Sequence, residues 1–507
     1  MAVSQGADMQ RRPAWLKPLV AGSGPRYLQI ADLIAHAVRN GELKAGDQVP
    51  PQRWLATELG VDLTTVTRAY AEARVRGLLA SFGGRGSFIA EPYDPSQRGM
   101  VDLAMNIPPQ PANRALADHI KAGMSEVVTR HDAESVSGYH HPVLEPTALQ
   151  AARTWLGPML DAMGQSQVLM CAGTQGAIFN LLQAHTRRGD AVLCDPLTYP
   201  GFLRAARALG LKIIGVPGDA SGMLPDALER SCRDTGAGLL YLNPTIQNPT
   251  ASTMPTARRQ DIAAVLRKSK VTLIEDDPYR HLLNDAPLPI SACTSGERSY
   301  YLASLSKCLS PSLRAAYVVA PSGQATTTLL ESFAATSMGC SALLAGLVQT
   351  WIVNGTAKSL LGEIQLEARS RQALARSILP GSIQAHPSGI HLWLPLPPQW
   401  RPTAFSQALE DMGVRIAATN AFGVEDELPS GVRISVGGAR SHAELQCCAA
   451  EDPDSAREKS DRQQPHGCLA TRPIPMCTCN QASWCRNAQP DSIGAAAGRM
   501  DFSSTPP

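Results

Sequence analysis

The sequence lacks any long apolar run: no stretch of its 507 residues approaches the roughly 18 uncharged apolar positions that a membrane-spanning helix needs. Its N-terminus has no apolar segment followed by a cleavage site, so no secretory signal peptide is predicted. A formal net charge of only +2 says little about the binding partners of the chain. With 44% hydrophobic and 18% charged residues, the chain is expected to be a multidomain globular protein of the cytoplasm.

The cysteines have no regular spacing. Six of the 12 are scattered through apolar contexts typical of reduced, buried thiols, and the other six fall at or after Cys447. Neither a disulfide framework nor a metal site is therefore predicted, and an irregular zinc site built from the late cysteines is disfavoured.

Positive charge is concentrated near the N-terminus, where positions 11–90 hold 11 Lys or Arg against 6 Asp or Glu. The apolar spacing from residue 26 predicts three helices and then a hairpin with a Gly-Gly-Arg-Gly tip. Gly60 falls where a tight turn between helices needs a positive φ, and Asp62 is placed to cap the third helix. This order is that of a winged helix-turn-helix, whose third helix enters the major groove of DNA.

Short hydroxyls and long cations on the third helix and the wing are the predicted DNA contacts. The alternative is a small helical cap whose arginines are only solvated. The predicted contacts are Arg53, Thr64, Thr65, Thr67, Arg68, Arg85 and Gly86.

The segment "VPPQRWLATELGVDLTTVTRAYAEARVRGLLASFGGRGSFIA" resembles the DNA-binding domain of GntR-type transcription regulators. The match follows that family's usual pattern position by position, with Pro51 where serine is frequent. The resemblance implies a DNA-binding domain at residues 26–90, preceded by an N-terminal arm at 1–25.

Residues 91–112 are rich in proline and lack periodicity, so they are predicted to be an extended linker. Beyond them the chain alternates apolar runs with amphipathic helices, which predicts an α/β fold whose active residues lie at strand ends. The predicted strands are "AVLCDP", "KIIGVP", "GLLYLNP", "VTLIEDD", "SYYLASLS" and "AAYVVAP".

Several polar residues fall at those strand ends, and each alone has an ordinary structural explanation. Their order matters more, because a pyridoxal phosphate site needs a lysine, a carboxylate for the ring nitrogen, donors to the phenolate oxygen, an aromatic ring and phosphate donors. The candidates, in chain order, are Gly173, Thr174, Gln175, Tyr199, Asn248, Asp276, Tyr279, Ser304, Ser306, Lys307 and Arg314.

This order, with "NPT" before "DDPY" before "SLSK" and an arginine seven positions on, resembles the fold-type I aminotransferases. The resemblance implies that Lys307 forms an imine with the cofactor and that Asp276 meets the pyridine nitrogen. Asn248 and Tyr279 would then hold the phenolate oxygen, and Tyr199 would cover the ring. The implied phosphate ligands are Thr174, Gln175, Ser304, Ser306 and Arg314, and Gly173 at the same helix start is a further cofactor-binding candidate. The resemblance further implies that Arg433 binds an effector's carboxylate through its guanidinium.

A winged helix joined to such a domain resembles the MocR family of bacterial transcription regulators. That resemblance implies a pyridoxal 5'-phosphate-dependent, DNA-binding homodimer, with exchanged domains, that responds to an amine, an amino acid or a pyridoxal vitamer. Two alternatives stay open: an active aminotransferase with an accessory N-terminal domain, and a regulator that has lost its cofactor.

Two departures from these patterns are visible. Ala251 stands where glycine commonly follows Asn-Pro-Thr. The aminotransferase-like domain is predicted at 113–446, with a small subdomain at about 381–446, but residues 447–507 have few hydrophobics and no helical period. A disordered tail is expected there, and a reading-frame change near Leu445 is one hypothesis for its origin.

Overall fold

The computed structural model of the chain describes residues 12–20, 24–82, 86–90, 99–110, 115–130, 138, 141–163, 166–296, 298–321, 323–337, 339–425 and 428–451. None of the helices in these ranges is both long and apolar enough to cross a membrane.

The N-terminal domain contains three helices followed by an antiparallel hairpin. These elements are α1 (Arg26–Arg39), α2 (Gln52–Leu59), α3 (Leu63–Val75), β1 (Leu79–Phe82) and β2 (Gly86–Ile89). The prediction for the turn is confirmed, because Gly60 ends α2 with φ 61°. Asp62 caps α3 as predicted, accepting from the Thr65 amide at 2.8 Å.

Residues 12–20, part of the predicted N-terminal arm, pack against the three helices of this domain. Trp15 and Leu16 are buried in the same core as Ile30 and Leu55 of α1 and α2. Trp15 and Leu16 are large and apolar, so packing them against the core of the domain is favourable because it removes apolar surface from water.

The rest of the described chain forms a large and a small α/β unit. Its helices are α4 (Ala115–Arg130), α5 (Pro146–Leu156), α6 (Thr174–His185), α7 (Pro200–Ala208), α8 (Pro225–Thr235), α9 (Thr256–Ser269), α10 (Ile290–Cys293), α11 (Gln324–Ala334), α12 (Ala342–Val353), α13 (Thr356–Ile378), α14 (Pro402–Asp411) and α15 (His442–Ala450). Its strands are β3 (Val101–Asp102), β4 (Ser166–Cys171), β5 (Ala191–Cys194), β6 (Lys212–Gly215), β7 (Gly218–Asp219), β8 (Gly222–Met223), β9 (Leu239–Leu242), β10 (Thr272–Asp276), β11 (Ser299–Ser304), β12 (Ala316–Pro321), β13 (Gln384–Ala385), β14 (His391–Pro395), β15 (Val414–Arg415), β16 (Ala417–Ala418) and β17 (Gly431–Ser435).

A seven-stranded sheet of order β4-β12-β11-β10-β9-β5-β6 forms the centre of the large unit. Neighbouring strands are parallel except at β12, which runs antiparallel to both β11 and β4. All residues of β9 and β11 are buried, which explains their uninterrupted apolar sequence. The six predicted strands are confirmed, and β4 is a seventh that the sequence analysis did not propose.

The small unit is built on a second sheet, of order β13-β14-β17-β16. Helices α13, α14 and α15 pack against this sheet, and their apolar residues form one core with those of β14 and β17. The parallel pair β3–β15 connects this unit to the segment that precedes the large unit.

Two predicted boundaries need correction. Residues 101–110 of the proposed linker are folded: β3 pairs with β15, and Asn106 is only 3% exposed. Prolines do not prevent this, because the extended segment finds its hydrogen-bond partners in other elements. Residues 447–450, assigned to the tail, form the end of α15, where Cys448 is buried beside Leu445. The tail from residue 452 onward lies outside the described residues.

Candidate cofactor pocket and DNA-binding face

Lys307 lies just beyond the carboxyl end of β11, with its side chain largely buried. Its Nζ donates to the backbone oxygen of Asn106 at 2.6 Å. The pKa of Lys307 is lowered to about 8, mainly by burial and also by the charge of Arg433, while the charge of Asp276 opposes the shift. An amine with this pKa is neutral in about a tenth of the molecules at pH 7, far more often than an ordinary lysine, and the neutral form is the nucleophile that attacks an aldehyde.

Asp276 is the last residue of β10 and is 4% exposed. The Tyr241 hydroxyl donates to its Oδ2 at 2.8 Å, while its Oδ1 is buried with no hydrogen-bond partner among the described residues. Burial raises the pKa of Asp276 to about 7, although the Tyr241 hydrogen bond opposes the rise. A buried carboxylate with one unused oxygen suits a cationic N–H donor, which a protonated pyridine ring provides.

Tyr279 and Asn248, the predicted ligands of the phenolate oxygen, are both buried. The Tyr279 Oη accepts from the Asn106 side-chain amide at 2.9 Å. The Oδ1 of Asn248 accepts from Arg433 Nη1 at 2.6 Å. This contact orients the Asn248 amide, so that its nitrogen is the group left to donate to a ligand oxygen.

The start of α6 forms a cradle for an anion. Gly173 precedes Thr174 with φ 88°, and the first amides of the helix have no partner within it. A Cβ atom added to Gly173 would lie 3.6 Å from the guanidinium carbon of Arg314. The side chain of Gln175 donates to the Gly201 backbone oxygen at 3.0 Å, so its predicted contribution to phosphate binding is through its backbone amide.

Ser304, Ser306 and Tyr199 complete the predicted set. The Ser304 hydroxyl accepts from the Ser306 amide at 3.2 Å, and both serines are buried. Tyr199 immediately precedes α7, where burial raises its pKa and the charge of Asp276 raises it further. Tyr199 therefore lies within electrostatic range of the same carboxylate that influences Lys307.

Arg433 extends from β17 of the small unit into this pocket. It is 6% exposed, its Nη2 donates to the Ala104 backbone oxygen, and its guanidinium lies 5.0 Å from the centre of the Phe422 ring. Its Nε has no hydrogen-bond partner among the described residues. A buried guanidinium with a free N–H is the kind of group that binds a carboxylate.

The pocket thus fits pyridoxal phosphate in its donor and acceptor chemistry. A nucleophilic amine, an unused carboxylate oxygen, and a helix start beside an arginine match the aldehyde, the ring nitrogen and the phosphate of that molecule. Lys307 would hold it covalently, Asp276 would pair with its ring, and the α6 start with Arg314 would bind its phosphate.

Three residues of this pocket escaped the sequence analysis. Asn106 lies in the predicted linker, Tyr241 lies within an apolar strand, and His391 is the first residue of β14. Only His391 could have been found from the sequence, because a histidine inside "GIHLWLP" interrupts an otherwise apolar run.

The predicted DNA contacts lie on one end of α3 and the start of α2. Thr64, Thr67, Arg68 and Arg53 are exposed. The Arg68 guanidinium stands 4.5 Å from the centre of the Tyr27 ring, which holds it at the surface. These side chains are therefore placed together and open to a ligand.

The remaining contacts are less free or undescribed. Thr65 is half-buried and donates to Asp62, as Thr64 also does. Gly86 begins β2 with φ 107°, and a Cβ atom there would meet the Gln48 side chain at 2.7 Å. The prediction for Arg85 lies outside the described residues.

Comparison with known families gives two matches. The family "Aminotransferase class I and II" matches residues 98–450, and "Bacterial regulatory proteins, gntR family" matches residues 26–89. The two matches do not overlap and leave only residues 90–97 between them, and together they cover both sites described above.

Individual relatives match most of the length of this chain. The uncharacterized HTH-type transcriptional regulator YdeF of Bacillus subtilis is 28% identical, covering 85% of this chain and 95% of its own. The vitamin B6 salvage pathway transcriptional repressor PtsJ of Salmonella typhimurium is 30% identical, covering 80% and 93%. The multiple substrate aminotransferase of Thermococcus profundus has a TM-score of 0.64 at 19% identity, covering 72% of this chain and 93% of its own, which shows the fold.

Proposed function

The chain belongs to the MocR family of DNA-binding transcriptional regulators, and we propose that it senses a small amine through the pocket around Lys307. Its aminotransferase-like domain takes pyridoxal phosphate as cofactor. The proposed effector is an amino acid, another amine or a pyridoxal vitamer, and its binding would alter how the N-terminal domain engages DNA. The salvage of vitamin B6 named for the Salmonella relative favours including the vitamers.

One observation carries this proposal: Lys307 is largely buried and lies close enough to both Asp276 and Arg433 for the charge of each to shift its pKa. When bound, pyridoxal phosphate supplies an aldehyde that exchanges one amine for another. Lys307 would hold it through its side chain, and Asp276 would keep the ring nitrogen protonated.

Arg433 makes an amino acid the favoured kind of effector. Its guanidinium is buried, and its Nε is available to an effector's carboxylate. Asn248 and Phe422 hold the guanidinium in place from two sides. A bidentate pair with a carboxylate would then select amino acids over simple amines.

The positions of these residues suggest how binding is transmitted. Lys307 belongs to the large unit and Arg433 to the small unit, so an effector that contacts both would favour one arrangement of the two units. A roughly tenfold change in DNA affinity requires a preference of only about 1.4 kcal/mol.

For DNA we propose a homodimer whose two N-terminal domains bind paired half-sites. The proposed contacts are Arg53, Thr64, Thr65, Thr67, Arg68, Arg85 and Gly86. The domain limits proposed from the sequence and the described fold together are about 12–90 for DNA binding and about 99–451 for the aminotransferase-like part.

The second candidate function is a working aminotransferase. It is supported by the burial of Asn248, Asp276 and Tyr279 and by the charge of Asp276, which acts on both Tyr199 and Lys307. The two functions differ in turnover, because a sensor needs exchange but not repeated product release.

The test is to load the purified protein with pyridoxal phosphate, add a panel of amino acids with a keto acid acceptor, and follow both absorbance and product. A sensor should change absorbance between about 330 and 420 nm while releasing no more than about one product per subunit. Product that accumulates steadily over many turnovers would instead establish the aminotransferase.

A further inference from the structure

Asn106 is a hub between the cofactor pocket and the small unit. Its backbone oxygen accepts from Lys307 at 2.6 Å, and its side-chain nitrogen lies 2.9 Å from both the Tyr279 Oη and the His391 Nδ1. Both side-chain contacts are buried, and His391 is fully inaccessible. The hydrogen-bond directions in this network are therefore set by its members and not by water.

The other ring nitrogen of His391 fixes those directions. Its Nε2 lies 3.0 Å from the Gln247 backbone oxygen, which can only accept. Nε2 must therefore carry the proton, and in a neutral ring Nδ1 is then an acceptor. Burial holds the pKa of His391 at about 3, and the nearby charges of Arg433 and Lys307 also lower it, so the ring is neutral near pH 7.

The Asn106 amide must in turn present its nitrogen to this side of the network. One of its N–H groups donates to His391 Nδ1, and the other donates to Tyr279 Oη. A flipped amide would set two acceptors, its own oxygen and His391 Nδ1, against each other. Tyr279 accepts from Asn106, so its own proton is not used there, and no acceptor for that proton is present among the described residues.

We propose that His391 is a positioning residue which, through Asn106, makes Tyr279 a hydrogen-bond donor to the phenolate oxygen of pyridoxal phosphate. This inference rests on the proposed function, because it needs the cofactor in the pocket of Lys307. His391 lies on β14 of the small unit, and its Nε2 partner Gln247 lies in the loop that carries Asn248. Whether Tyr279 acts as a donor in the pocket thus depends on how the small unit packs against that loop.

The test uses the full-length protein loaded with pyridoxal phosphate and measures the pH midpoint at which its visible absorbance changes. The deprotonated chromophore carries its negative charge on the phenolate oxygen, so losing a donor there destabilises that form and raises the midpoint. Tyr279→Phe should raise it by about one pH unit, and His391→Gln, which lacks the Nδ1 acceptor, should raise it by about half a unit. The double variant should match Tyr279→Phe alone, because both changes remove one hydrogen bond.

A conservative variant separates positioning from a general packing effect. His391→Asn places an amide oxygen near the position of Nδ1 and can accept from Asn106, so it should recover at least half of the shift. Additive shifts in the double variant, or an unchanged midpoint in His391→Gln with the absorbance intact, would overturn the inference alone. A wild-type protein that takes up no cofactor would overturn the proposed function as well.

Discussion

Asp62 of the DNA-binding domain and Asp276 of the cofactor pocket are both aspartates at the end of a secondary-structure element, but their surroundings are opposite. The hydroxyls of Thr64 and Thr65, with the Thr65 amide, hold the pKa of exposed Asp62 well below its usual range. Burial raises the pKa of Asp276 to about 7, because Tyr241 supplies only one hydrogen bond in compensation.

This difference shows how each region is built. Asp62 finds its partners within three residues, so the start of α3 is complete without a ligand. Asp276 takes its neighbours from distant parts of the sequence and still keeps one oxygen unpaired. We therefore expect changes in the pocket to act through the cofactor, and changes on the DNA-binding face to act through DNA alone.

The largest effect should follow Lys307→Ala. Borohydride fixes pyridoxal phosphate to the lysine that holds it, so this variant should lose all of the covalent label that peptide mapping finds in the wild type. Lys358→Ala, which changes an exposed lysine in α13, is the matched control and should label like the wild type. DNA binding by the cofactor-free proteins should be the same in all three. A label that persists on another lysine would refute the assignment.

The pH dependence of stability should distinguish the two aspartates. A raised pKa in the folded state means that the folded protein binds more protons, so Asp276 should lower the free energy of unfolding as pH rises from about 4 to about 7. In cofactor-free protein the loss should be about 4 kcal/mol at most, and Asp276→Asn should remove it. Denaturant unfolding at a series of pH values measures this slope.

Asp62→Asn is the opposite case and serves as the comparison. The lowered pKa of Asp62 gives stability that is present above its unfolded value, near pH 4, and is lost as pH falls further. Asp62→Asn should therefore be less stable than the wild type at neutral pH and equal to it in strong acid. The contrast between these regions would be contradicted if the difference in unfolding free energy between wild type and variant changed with pH in the same direction for both aspartates.

On the DNA-binding face, Arg68→Ala should weaken DNA binding about tenfold and reduce the dependence of affinity on salt. Arg76→Ala is the control, because Arg76 follows the far end of α3 and is paired with Asp32 and Glu72. Fluorescence anisotropy with one duplex at several salt concentrations measures both quantities. Equal losses in the two variants would show that only overall charge matters.

The smallest effect concerns backbone conformation. Gly60 and Ala251 have nearly the same left-handed conformation, with φ 61° and 59°. A Cβ atom on Gly60 would meet nothing within 4 Å, so Gly60→Ala should cost about 1 kcal/mol of stability from the backbone alone. Ala251→Gly should gain less than about 1 kcal/mol, because it relieves the backbone but removes a buried methyl group. Thermal unfolding of both variants measures the difference.

The contrast between the regions also explains what could be predicted from sequence. The features that define the DNA-binding domain involve residues close together in the sequence. The spacing of apolar residues in its helices, together with Gly60 and Asp62, was therefore enough to predict its elements. The strand runs and the order of residues leading to Lys307 predicted the large unit.

Asn106 could not be found in this way, because its role depends on contacts with residues far along the chain and its proline-rich segment has no periodicity. The same applies to Trp15, whose burial depends on a core that residue spacing in the arm does not indicate.

The most direct test of the account is the affinity of the cofactor-loaded protein for one duplex, selected from random sequence, with and without an added amino acid. The account predicts that an amino acid which changes the absorbance of the wild type also changes its dissociation constant about tenfold, with no such change in Lys307→Ala. An amino acid that reacts in the pocket and leaves the dissociation constant unaltered would contradict it.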